Sequence, residues 1–224
     1  PQVDSLQISG AGLNAKGSVS LKEGGGLDRV RIDRLQLDDW LDVPVDLIGQ
    51  GSGKSVQVVL RGGKLDMRRA EFGGSSGGGR TSRGTPSPPM IVALDRLQIT
   101  DTIALTGLQG RFDTNKGLDG AFQARLNGGA PVEGRVLPQN GRSAVRLVSK
   151  DAGGVLRSAD LLKQVVGGNL SLVLLPVGSG GAFDGRLIAS AVRIKDAPGI
   201  AALLNAVSVV GLVNELNGDG IYFE

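Results

Sequence analysis

The chain has 224 residues, with 25 basic and 22 acidic side chains and a formal net charge of +3, and it contains neither cysteine nor histidine. That composition excludes thiol catalysis, disulfides, zinc-finger and haem-histidine ligation and every histidine-based triad. It also argues against a nucleic-acid partner: the charge excess is small, and one Trp and one Tyr cannot build a stacking platform.

Aromatic residues are only 3% and glycines number 37, so any core is aliphatic and the chain is cut by many turns. Short stretches alternate apolar and polar residues: Leu6-Gln7-Ile8, Val19-Ser20-Leu21, Val30-Arg31-Ile32, Val56-Gln57-Val58, Leu97-Gln98-Ile99, Val145-Arg146-Leu147 and Leu170-Ser171-Leu172. A period of two marks strands with one dry and one wet face. Three segments share the form Asp-x-Leu-Gln-[Ile/Leu]-x, starting at Asp4, Asp33 and Asp95. Spacings of about 30 residues and about twice that suggest stacked β units in an elongated sheet.

Gly51-Ser52-Gly53-Lys54-Ser55 resembles the end of a phosphate-binding loop, but Ile48 stands where its first Gly belongs and a strand pattern follows. A Gly/Ser turn explains it better. Asp38-Asp39 and Asp42, around Trp40, lack the spacing of a calcium loop and read as a solvated turn. Asn169-Leu170-Ser171 is a formal glycosylation sequon, and three-residue motifs recur by chance. Asp119-Gly120, Asp184-Gly185 and Asp219-Gly220 read as turn chemistry, not as paired catalytic acids.

Residues 73–89, GGSSGGGRTSRGTPSPP, are low in complexity and read as a flexible loop. They separate the N-terminal strands, 1–72, from a C-terminal region, 90–224, and the same strand pattern on both sides predicts one continuous sheet. Asn127-Gly128 and Asn140-Gly141 supply hairpin turns, so residues 118–149 read as an antiparallel meander. One helix is expected over 154–166, ended by Gly167-Gly168. A second is expected over 198–216, with Asp196 and Pro198 at its start and Asn217-Gly218 at its end. That second helix is apolar nearly all round, including Ile200, Leu203, Leu204, Val207 and Val210, and must be covered on most sides. Its length, roughly 28 Å, approaches a bilayer core, but Asn205, Asn214 and Glu215 argue against a span.

The expected fold is therefore mostly β with two or more helices. An elongated, curved antiparallel β-sheet forms an open groove, and helices pack at one side or end. The candidate groove residues are one parity of the strands: Val56, Val58, Leu60, Phe122, Leu126, Val145, Leu147, Leu170, Leu172, Leu174, Leu187, Val192 and Ile194. No nucleophile with a recognisable base is present, so no enzyme activity, cofactor or metal is expected. Beginning at Pro1 with no leader pattern, the chain reads as a fragment whose anchor or export signal lies outside it.

The last third carries a family resemblance. It runs through Val155-Leu156-Arg157, Asp160-Leu161-Leu162, Gly167-Gly168-Asn169-Leu170 and Phe183-Asp184-Gly185-Arg186-Leu187. It continues through Val192-Arg193-Ile194-Lys195-Asp196-Ala197-Pro198, Leu203-Leu204-Asn205, Gly211-Leu212 and Leu216-Asn217-Gly218-Asp219-Gly220-Ile221. This order resembles the C-terminal region of AsmA-like envelope proteins, particularly the YhdP-like branch. Leu27–Asp39 and Gly63-Lys64-Leu65-Asp66 are similar to the region preceding it. The resemblance implies a periplasmic sheet curled into a long groove whose apolar inside shields phospholipid acyl chains between inner and outer membranes. It implies inner-membrane anchoring by an N-terminal helix outside this stretch, and a role in outer-membrane biogenesis. It carries over no catalytic residue. The alternative is a structural or adhesive β-rich envelope module with a closed core and no lipid.

Overall fold

The computed structural model describes residues 2–51, 54–69, 88–178 and 182–195, together with the backbone of Ile221–Phe223. Six strands precede the low-complexity stretch: β1 (Gln2–Gly10), β2 (Leu13–Leu21), β3 (Leu27–Leu37), β4 (Leu41–Ile48), β5 (Gln57–Arg61) and β6 (Lys64–Asp66). After it come β7 (Met90–Gln98), β8 (Ala104–Asp113), β9 (Asp119–Leu126), β10 (Pro131–Gln139) and β11 (Arg142–Ser149). Helix α1 (Ala152–Ser158) leads to β12 (Val165–Val166), β13 (Asn169–Pro176), β14 (Phe183–Ser190), β15 (Val192–Ile194) and β16 (Ile221–Phe223).

Thirteen strands make one large sheet, curved but not closed into a barrel. Its order follows the chain from β1 to β14, omitting only β12, which joins β15 and β16 in a small second sheet of order β12-β15-β16. β5 and β6 act as one broken strand: both pair antiparallel with β4 and parallel with β7. This parallel step is the one departure from the expected antiparallel order among the described residues. A parallel step requires the chain to return to the strand's starting end, which only a long connection can do. The low-complexity stretch lies in that connection, and strands from both sides of it belong to one sheet.

The Asn-Gly hairpins form as expected. Asn140 and Gly141 both take positive φ, 49° and 75°, between β10 and β11, and Asn127 and Gly128 do the same after β9. Such turns match the natural twist of paired strands.

The recurring Asp-x-Leu-Gln hexads begin in β1, β3 and β7, and in the first two the Asp-x pair sits where the strand slips by one residue against its partner. The register shifts between Val3 and Leu6, and between Ile32 and Leu35. In β7 the amides of Asp95 and Arg96 both donate to the single carbonyl of Gly63, at 2.9 and 3.2 Å. Two residues opposing one is a β-bulge, which bends a strand and restores its apolar parity beyond the bend. The repeat is thus a repeated bend.

The helix differs from expectation in extent. α1 starts at Ala152, capped by the Asp151 carboxylate, which accepts from the Gly154 amide at 2.8 Å. It stops at Ser158, because Asp160 takes a positive φ of 56° and Val165–Val166 is drawn into pairing with β15. One helix is therefore present among the described residues. The one expected over 198–216 lies outside them.

Candidate functional site

Cross-strand partners point to the same side of a sheet, so register shows which residues share a face. One row of partners runs Phe122, Gly134, Leu147, Leu172 and Leu187 across β9 to β14. The next runs Val136, Val145, Leu174 and Gly185. On the other side of the parallel step, Val30, Leu47 and Val58 form a row, and Ile32, Val45 and Leu60 another, joined through Val92 of β7. A single inner face, mostly aliphatic, spans the sheet from β1 to β14.

That face is closed in the middle and open at the margins. Val43 and Leu105 are 1% and 2% exposed, and Val45, Val92, Leu94, Leu108, Leu126, Val132 and Val136 are also buried. At the first edge Val3 and Ile8 are 54% and 47% exposed, and at the last edge Leu187 is 47% exposed. Between centre and last edge, Val145, Leu147, Leu172 and Leu174 are half-buried.

Glycine makes room for two rings in the centre, Phe112 and Phe122. A Cβ on Gly134 would coincide with the Phe122 ring, and one on Gly120 with the Phe112 ring. The two rings stack with centroids 6.3 Å apart. Asp119-Gly120 and Asp184-Gly185 accordingly lie inside β9 and β14 and not in turns.

α1 closes one end of the face. Its apolar residues Ala152, Val155 and Leu156 are buried in the same cluster as Leu126, Ala130, Val132 and Leu170. Asn127 ties it down: the amide nitrogen donates to the carbonyls of Thr102 and Ser158, at 2.8 and 2.7 Å, while the amide oxygen accepts from the Ala104 N–H at 2.7 Å. The Ser158 hydroxyl accepts from the Ala130 amide at 3.1 Å.

The sequence-derived candidates fall into three groups. Val58, Leu60, Phe122, Leu126, Val145, Leu147, Leu170, Leu172, Leu174 and Leu187 share the inner face of the large sheet. Val56 instead precedes β5 and is exposed, and Val192 and Ile194 lie in β15 of the small sheet. Ile200, Leu203, Leu204, Val207 and Val210 lie outside the described residues. Sequence reasoning missed the buried pair Val43 and Val45 of β4, although Leu41-Asp42-Val43-Pro44-Val45-Asp46-Leu47 alternates plainly. The Pro in the middle of that run weakens its strand signal.

The motif-like segments resolve into structure. The Lys54 amide donates to the Gly51 carbonyl at 3.2 Å, and β5, not a helix, follows. The acids near Trp40 are answered by arginines: Asp39 pairs with Arg69, and Asp42 accepts from the Arg34 guanidinium at 2.7 and 2.9 Å. That hydrogen bond holds the Asp42 carboxyl below its usual range, and Arg68 does the same to Asp66. No cluster of three or more potential metal ligands exists among the described residues. No helix among them is long and apolar enough to cross a membrane. No protein-family model matches the chain, and no curated protein or solved structure matches it either.

Proposed function

We propose that the chain is a groove segment of a bridge-like envelope protein that binds or conducts phospholipid acyl chains along the inner face of its sheet. The observation that carries this reading is one aliphatic face running across an unclosed sheet, with its half-exposed part at β11 to β14. Water leaves that part when an acyl chain lies on it, and each buried CH₂ contributes about 0.8 kcal/mol without any specific polar contact. The role is physical and not enzymatic. A periplasmic setting and inner-membrane anchoring through segments outside this stretch belong to the same proposal and rest on the family resemblance.

A second reading has its own observation. The buried centre, from β4 to β10, is packed as an ordinary core, which suits a structural or adhesive module without lipid. The experiment that separates them is a photoreactive phospholipid probe, with mass spectrometry of lipid retained on purification. The groove reading expects crosslinks at Leu147, Leu172 and Leu187 and their loss in Leu172→Glu. Absence of both retained phospholipid and crosslinks at the β11–β14 margin would leave the closed module standing.

A further inference from the structure

The outer face carries a second surface, independent of the groove. Across β8 to β14 the register aligns Arg111, Ala121, Arg135, Arg146, Val173 and Arg186 in one row. Four arginines thus lie along about 24 Å, five strand spacings. Arg135 and Arg146 are direct cross-strand partners. Like charges so placed destabilise a sheet.

Acids share the face, Asp113 two residues from Arg111 and Asp184 two residues from Arg186, but neither forms an ion pair with the row among the described residues. All four are exposed, and Arg111, Arg146 and Arg186 make no ion pair among the described residues. Arg135 reaches Asp119 at only 3.9 Å, and Glu133 is the one acid lining the open trough of about 690 Å³ that Arg135 and Arg146 also line. The same face also bears exposed aliphatic side chains. Leu137 and Leu175 flank the arginine row on one side, 41% and 39% exposed, and Ile188 flanks it on the other at 53%.

We infer that this outer face docks on an anionic lipid surface. Exposed arginines supply attraction to phosphate headgroups, and the guanidinium fork matches phosphate oxygens. The exposed aliphatic residues beside them enter the headgroup–acyl boundary, as the apolar face of an interfacial segment does. An acidic protein would use the arginines but has no need of Leu137, Leu175 and Ile188 around them. Docking here would bring β14, the open edge of the apolar face, to the bilayer.

Flotation of the 224-residue chain with vesicles tests this. Binding is expected to vesicles containing phosphatidylglycerol, to be absent with pure phosphatidylcholine, and to weaken as salt rises. The triple variant Arg135→Gln, Arg146→Gln, Arg186→Gln is expected to lower partitioning at least roughly tenfold. It should retain its circular dichroism spectrum and its uptake of detergent-dispersed fluorescent phospholipid, which separates this surface from the groove. Ile188→Ser should weaken flotation without changing its salt dependence. Equal flotation on neutral and anionic vesicles, or wild-type flotation by the triple variant, would overturn the inference. Retention on polyglutamate without flotation would overturn it too, and reassign the face to an acidic protein.

Discussion

The centre of the large sheet and its last margin use the same residue types for different ends. In β4 to β10 the alternating aliphatic side chains are buried, the aromatic rings fill the space above glycines, and α1 covers one end. In β11 to β14 the same alternation leaves Val145, Leu147, Leu172 and Leu174 half-buried and Leu187 exposed. The outer faces differ in parallel. Over β3 to β6, arginine and aspartate meet across strands, as in Arg34–Asp42 at 2.7 Å and Arg61–Asp46 at 3.1 Å. Over β8 to β14, arginines line up with one another. The buried centre is built for stability, the margin keeps apolar surface free, and the cationic row runs across the outer side of both, from β8 to β14.

Truncating a side chain on each side puts that contrast to its hardest test. Leu105→Ala in the centre should cost about 3 kcal/mol, whereas Leu187→Ala at the margin should cost less than about 1 kcal/mol. Urea unfolding of both variants reads this directly, and equal losses would erase the distinction. Next in size is Asn127→Ala, which removes three hydrogen bonds and places a Cβ-bearing residue without a polar side chain at a φ of 48°. A loss of about 2 kcal/mol is expected. Hydrogen exchange should show faster opening at α1, while β3 and β4 keep their protection. Gly134→Val should displace the Phe122 ring, costing about 1–2 kcal/mol by overpacking and quenching the close contact between the two rings.

The smallest effect is acid sensitivity on the outer face of the first half. Asp42 and Asp66 are held below the usual carboxylate value of 3.8 by hydrogen bonds from Arg34 and Arg68. Their contribution is therefore complete above the unfolded-state value and is lost as pH falls through the depressed folded value. Urea midpoints should be flat from neutral pH to about pH 5 and decline below about pH 4. Asp42→Asn should shallow that decline slightly, as expected of an exposed pair.

Much of the local structure was legible. Asn140-Gly141 announced its hairpin, because few residues accept two successive positive φ values. The alternation Leu170-Ser171-Leu172 announced β13. The hexads at Asp4, Asp33 and Asp95 were legible as a repeat, but not as bulges, since a one-residue slip appears only against a partner strand. The arginine row was invisible for the same reason: Arg111 and Arg186 are far apart in sequence and fall into one row only through the register of the strands between them. α1 was placed too late because its cap, Asp151, precedes two glycines that weaken any helix signal, while packing on β12 decides the outcome.

Sequence alone determined that this chain alternates, turns often and carries one dry face, because strand period and turn chemistry are local properties. It also removed thiol and histidine chemistry outright. Tertiary structure decided where that face is covered, which edges stay unpaired and which charges meet. Those outcomes depend on how far each strand slides against its neighbour, and a slide of one residue exchanges the dry side for the wet one.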